Sequence, residues 1–290
     1  MTPAIRPLTH VVCTLGEGPV WSVGEQALYW IDIEAPALYR WAWAASGVQS
    51  WPLPALVGAI ALREQGGLVL ALRTGIHTFD LTSGELTFVA DPEAELPGTR
   101  YNDGTVDPAG RFWIGGMVLD GEPRTAGLYR FAADGSWTQV LSGIGCSNGT
   151  GFSPDGSVMY YTDTETLTIV RYDFDVVTGD IRNPRVFATD DDCHPDGMTV
   201  DADGYVWGAK WDGSRIVRYA PDGSVDRVIP LPVQRPTSLA FGGPDLRTLF
   251  ITTARVDLSP EELEAQPLAG RLLVIDDPGV TGLPEALTVL

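Results

Sequence analysis

The sequence predicts an all-β protein: a six-bladed β-propeller with four-stranded antiparallel blades, its ring closed by the N-terminal strand. Three observations carry this. No run of 12 or more residues keeps a helical hydrophobic period, and short runs rich in Val, Ile, Tyr and Trp alternate with Gly- and Asp-rich turns. One strand-turn unit recurs six times along the chain. The recurrence interval is about 40–50 residues, the length of a four-stranded blade.

The unit is clearest in the middle of the chain. Segments 102–110, 148–156 and 196–204 align without gaps, each an apolar strand running into a D/S-x-x-G turn. A second strand follows each one (111–114, 158–161, 205–208) and then a third (128–131, 169–172, 216–219). Weaker copies begin at Glu17, Gly58 and Thr237. Fourth strands are expected at 137–140 and 184–187. The sixth repeat lacks one, whereas the stretch Thr9 to Thr14 precedes the first repeat and belongs to none. Pairing the two closes the ring and removes an open edge. The whole chain, 1–290, is therefore expected to be a single domain. The one helical signal is Ser259 to Ala265, with Ser at the N-cap and Pro at the first helical position.

Composition narrows the function. The 290 residues are 44 % hydrophobic, enough for a sizeable core, and the net charge is −19. That charge repels nucleic acids and anionic membranes and suits cations or neutral ligands. No stretch approaches the roughly 18 apolar residues of a membrane helix. No basic segment leading into an apolar run opens the chain, so the cytoplasm is expected. Cys13, Cys146 and Cys193 form no disulfide framework and are expected as reduced thiols.

The repeat also points to a site. The first strand of each blade lines the central channel, and the six equivalent positions near its start are Glu17, Gly58, Asn102, Asn148, Asp196 and Thr237. Four of the six are carboxylates or carboxamides. Carboxylates brought together are costly unless a cation or proton lies between them. A divalent ion meets that need, and oxygen ligands suit Mg, Ca, Mn, Fe(II) or Zn. Asn and Asp before Gly also make turns, which is the plainer reading of each taken singly. Glu17 is not a turn former.

These residues sit in recognisable motifs: Gly16-Glu17-Gly18-Pro19-Val20-Trp21, Arg100-Tyr101-Asn102-Asp103-Gly104, Asp107 to Trp113, Asn148-Gly149, Pro195-Asp196-Gly197-Met198 and Thr237 to Gly243. Together they resemble the SMP-30/gluconolactonase/regucalcin family from Gly16 to Ala254, and within it the bacterial sugar lactonases of the xylonolactonase type. The resemblance implies one divalent metal held by Glu17, Asn148 and Asp196. Fe(II), Mn, Zn and Ca are the candidates, a first-row ion being the stronger Lewis acid. It implies that Asn102 contacts substrate or water at the metal and that Arg100 hydrogen-bonds sugar hydroxyls. Asp120 stands where the family often has a substrate-touching Glu.

The implied reaction is metal-dependent hydrolysis of a sugar 1,5- or 1,4-lactone, D-xylonolactone first, to the aldonic acid in sugar oxidation. Asp196 is the candidate to orient or deprotonate the attacking water. The partner is a small-molecule lactone; no obligate protein partner is evident. Lys210 is expected either to reach the pocket or to be solvated; His194 and Cys146 lie close to proposed ligands in sequence. Two other readings belong to different classes: a propeller that binds a cation or sugar without chemistry, and a phosphotriester hydrolase on the same scaffold.

Overall fold

The computed structural model describes residues 4–45 and 47–290; Met1 to Pro3 and Ser46 lie outside them. Six four-stranded antiparallel sheets form the blades of a propeller. The inner strands are Gly16–Ser22, Val57–Leu62, Thr99–Val106, Ser147–Phe152, His194–Val200 and Pro236–Gly242, which number blades 1 to 6. Burial is greatest at the second strands and falls toward the outer ones. The second strands Ala27–Asp32 and Leu68–Leu72 are buried at every residue, while the outer strand Val48–Pro52 is buried at none. Both faces of a second strand pack against neighbouring blades, hence near-continuous apolar runs such as Ala27–Asp32 and Leu68–Leu72. Buried Trp21, Trp30, Trp113 and Trp207 supply bulk between the diverging sheets.

A polar latch recurs at the D-x-x-G turn. In blade 3 Asp107 accepts backbone N–H groups from Ala109 (2.9 Å) and Arg111 (3.1 Å) with one oxygen. Its other oxygen accepts the Trp113 indole N–H (2.9 Å) and Arg111 Nε (2.6 Å). Asp201 in blade 5 repeats the arrangement with Trp207 Nε1 (2.8 Å) and Arg218 Nε (2.8 Å). Both carboxylates are fully buried. The spacing of Asp to Trp in the repeat thus ties the end of an inner strand to the core of its own blade. Asp107→Ala leaves an indole N–H and a guanidinium without their acceptor and is expected to lower stability by about 2–4 kcal/mol. Chemical denaturation checks this, and Asp107→Asn should recover part of the loss.

The ring closes through the N-terminus. Arg6–Val12 pairs antiparallel with Arg271–Ile275 and becomes the outer strand of blade 6. The closing strand lies slightly earlier than Thr9 to Thr14. Cys13 N donates to Gly270 O (2.7 Å) and Thr14 N to the Asp32 carboxylate (2.7 Å), so the chain is already turning into blade 1 there. The helix forms at Pro260–Ala265 with a reciprocal capping box between Ser259 and Glu262.

The C-terminal tail crosses the channel at the ends of the inner strands. Thr281 O accepts from Ala202 N in blade 5, and Gly282 N donates to Leu246 O in blade 6. Thr288 N donates to Leu62 O in blade 2, and Val289 N to Gly110 O in blade 3. Between these ties, residues 283–286 line the channel with Gly18, Asp103, Thr150 and Ser238. Burial pushes the Glu285 carboxyl up to about 7.

The fold therefore binds the Glu285 proton more tightly than the unfolded chain does. Ionisation costs nothing below about pH 4.5, grows through the interval to about 7, and is complete above it. Glu285→Gln removes the penalty. It should leave the melting temperature unchanged near about pH 4 and raise it near about pH 8. The side chain keeps some contact with solvent, so the gain is held to about 1–2 kcal/mol, a few degrees in thermal melting.

Candidate functional site

Every inner strand carries a register irregularity a few residues from its start. The breaks fall between Glu17 and Val20, Val57 and Ala59, Tyr101 and Gly104, Asn148 and Thr150, Pro195 and Met198, and Pro236 and Leu239. Such bulges bend a strand and re-aim its side chains. Glycines allow them here because the strands crowd at the axis. A Cβ on Gly149 would meet Asp196 O at 2.7 Å, and one on Gly197 would meet Ser238 Cα at 2.8 Å. The Asn-Gly and Asp-Gly pairs at 148 and 196 are therefore parts of bulged inner strands, not hairpin tips.

Beside the bulges lies a cavity of about 340 Å³. Glu17, Asn102, Asn148 and Asp196 all line it, drawn from blades 1, 3, 4 and 5. The other two repeat positions do not. At Gly58 there is no room, since a Cβ would lie 2.1 Å from Tyr101 O. Thr237 donates its hydroxyl to Gly16 O (2.6 Å), joining blade 6 to blade 1. Arg100 also lines the cavity, as do Cys146 and His194, and Leu15, Ile33, Met117, Leu119, Trp211 and Val256 give it an apolar wall.

Hydrogen bonds fix the polar floor. Arg100 Nη1 donates to Asn102 Oδ1 (2.6 Å) and to Tyr101 O (3.0 Å). Asn102 Nδ2 donates to Ser147 O (2.7 Å) and, at 3.3 Å, to Asn148 Oδ1. Glu17 Oε2 accepts from Gly18 N (2.8 Å). Arg100 Nε is buried with no hydrogen-bond partner.

The electrostatics match this crowding. Burial first, then the carboxylates of Asp196 and Asp103, push the Glu17 carboxyl well above its ordinary range. Asp196 is raised in the same way, by burial and then Asp103, against the Gly197 N–H and the positive charges of Arg100 and Lys210. Two buried carboxylates that each resist ionisation are stabilised by a cation between them. Asn148 Oδ1 adds a neutral oxygen beside them. This donor set, two carboxylates and an amide oxygen, fits a divalent ion that prefers oxygen. Burial also pushes the Cys146 thiol up to about 12, so it holds its proton and is a poor ligand at neutral pH.

Asp120 is exposed and does not line this cavity, although its neighbour Leu119 does. Asp120 N donates to Gly98 O (3.1 Å), which sets the loop at the cavity's edge. Lys210 neither reaches the cavity nor meets solvent. It is fully buried, and its Nζ donates to Asp190 Oδ2 at 2.6 Å. Sequence reasoning missed Trp211 and Thr164, both of which line the cavity from outside the inner strands. Thr164 follows Asp163 at the end of the second strand of blade 4, a place the repeat alignment does not mark.

Fold and site together define a propeller with an acidic, amide-bearing cavity beside the channel. Residues 15–255 match the SMP-30/Gluconolactonase/LRE-like region, and the chain belongs to that family. It is 41 % identical to a 6-deoxy-6-sulfogluconolactonase of Pseudomonas putida over 93 % of this chain and 94 % of that one. It is 40 % identical to an L-arabinolactonase of Azospirillum brasilense over 90 % and 88 %. Among solved structures, a calcium-binding regucalcin from Agrobacterium tumefaciens superposes with a TM-score of 0.95 at 31 % identity, covering 99 % of this chain and 98 % of the other.

Proposed function

We propose that the protein hydrolyses a five-carbon sugar lactone, D-xylonolactone first, to its aldonic acid, with one divalent ion held by Glu17, Asn148 and Asp196. The observation that carries this is the meeting of two buried carboxylates and a carboxamide from three blades on one cavity wall. Relatives named as lactonases, including a pentonolactonase of Haloferax volcanii at 37 % identity, support the sugar-lactone class. When bound, the ion supplies a Lewis acid for the ester carbonyl and acidifies water beside it; a first-row ion, Fe(II), Mn or Zn, is favoured over Ca for this.

The chain's residues do the rest. Asp196 takes a proton from the attacking water as oxygen bonds to the lactone carbonyl carbon. The ring C–O bond then breaks, and the ring oxygen leaves as a hydroxyl after receiving that proton. The second proton of the water is released as the product acid ionises. Arg100 and Asn102 hydrogen-bond the sugar hydroxyls, and the place of both side chains on the cavity supports that role. The apolar wall excludes water from the ring carbons.

The three cysteines are free, in keeping with a reducing cytoplasm as the working compartment. No helix among the described residues is long and apolar enough to cross a membrane. Ring closure by the N-terminal strand supports reading residues 1–290 as one catalytic domain with no protein partner required.

The test is acid release by metal-stripped protein, with each ion restored in turn, against xylono-, arabinono- and gluconolactone and a phosphotriester. Activity on the lactones should collapse on stripping and return with a first-row ion. Undiminished hydrolysis without metal overturns the metal reading. Turnover of the phosphotriester alone overturns the substrate class.

A further inference from the structure

Asn148 is an amide among proposed ligands, and an amide has a wrong way round. With its NH₂ turned to the cation it would repel it. Something must fix the rotamer, and the structure shows what does. Asn148 Nδ2 lies 2.8 Å from Thr164 Oγ1, and Thr164 Oγ1 lies 2.8 Å from Pro195 O. A hydroxyl has one proton to give. A carbonyl oxygen can only accept, so that proton is spent on Pro195 O. The Thr164 oxygen must then accept from Asn148, and only the NH₂ can donate to it. Oδ1 is left on the side of Asn102 and the cavity.

The same hydroxyl holds the peptide that immediately precedes Asp196. One side chain on blade 4 therefore sets two proposed ligands, one on its own blade and one on the next. Thr164 is itself held firmly. Its N–H donates to Cys146 O (2.9 Å), and the preceding Asp163 accepts Cys146 N (3.1 Å), Gly145 N (3.3 Å) and Arg124 Nη2 (2.8 Å). It opens a short 3-10 turn, Thr164–Thr166, capped by Asp163. These bonds fix the backbone and leave the hydroxyl free to bridge the two ligand strands.

We infer that Thr164 is a positioning residue for the cation site, orienting the Asn148 amide and bracing the Asp196 backbone through a single hydroxyl. This rests on the reading of Glu17, Asn148 and Asp196 as ligands. Partners of this kind around a metal commonly account for about 10–100-fold in affinity.

The test is a titration of the metal-stripped full chain with Mn(II), read by the EPR signal of the free ion, so that binding is measured without turnover. Four variants are compared with the unchanged protein: Thr164→Val, Thr164→Ala, Thr164→Ser and Glu17→Gln. Thermal melting of each verifies folding, which the partly exposed position of Thr164 favours. The expected result is that Val and Ala weaken Mn(II) binding about 10–100-fold, Ser stays within about threefold, and Glu17→Gln weakens binding at least as much as Val. If Glu17→Gln weakens binding and both Val and Ala leave it unchanged, the role of Thr164 is overturned while the ligand reading stands. If Ser weakens binding as much as Val, packing and not the hydroxyl is responsible, and the inference fails. If Glu17→Gln also leaves binding unchanged, the ligand reading falls and takes this inference with it.

Discussion

Replacing Asp196 by Asn is expected to cut lactone hydrolysis on the order of 10³-fold while making the metal-free protein more stable. The two effects share one cause. Asp196 is buried close to Glu17 and Asp103, and its carboxyl resists ionisation there. Without a cation, removing one negative charge from this group relieves repulsion and desolvation together. With a cation bound as proposed, the same change removes half of the proposed ligand charge and the proposed base for the attacking water. Glu17→Gln should show the same opposition, with the loss of activity arising through the ion alone. The measurement pairs a melting curve of stripped protein with the rate of acid release after Mn(II) is restored. A variant that loses both stability and activity would mean that Asp196 is a structural carboxylate satisfied by its own neighbours. A variant that keeps activity would remove Asp196 from the reaction altogether.

Why this pair of carboxylates could be read from the sequence, and other parts of the site could not, follows from how a propeller is built. A radial repeat brings equivalent positions to one axis whatever their separation along the chain. Aligning the Asn102, Asn148 and Asp196 motifs was therefore enough to gather them, and the structure does place them on one cavity. Gly58 and Thr237 occupy the same repeat position but stay off the cavity. Repeat position does not encode space or hydrogen bonding: Gly58 has no room for a side chain, and Thr237 spends its hydroxyl on Gly16 O. Lys210 shows the converse. Its partner Asp190 lies on the connection entering blade 5, so neither periodicity nor motif marks the pair. Once buried, the ammonium needs that carboxylate and has no reach left for the cavity. Thr164 was invisible for a related reason. It acts from the end of a second strand, across the gap between two blades, and such contacts depend on the angle between sheets more than on sequence spacing.

Arg100→Met is expected to lower kcat/KM for sugar lactones on the order of 10²-fold, with little change for a lactone that has no hydroxyl groups. Arg100 is nine-tenths or more buried at the cavity, at 5 % exposure, and its Nη1 fixes the Asn102 carboxamide at 2.6 Å. Arg100 lines the cavity, and a sugar hydroxyl bound there is an acceptor for its guanidinium. Removing the guanidinium loses that bond and the one to Asn102 Oδ1, leaving the carboxamide held through its Nδ2 alone. A simple δ-lactone presents no hydroxyl to either residue. The unchanged enzyme should therefore process it poorly, and Arg100→Met should process it about as well as the unchanged enzyme does. Lys at this position should not restore activity, because a point charge on a flexible stem cannot hold Asn102 and bind a hydroxyl at the same time. The guanidinium also offsets the charges of Glu17 and Asp196, so the variant should melt lower when stripped of metal, opposite in sign to Asp196→Asn. Equal losses on the sugar lactone and the bare lactone would show that Arg100 supports the cation site and does not recognise the sugar.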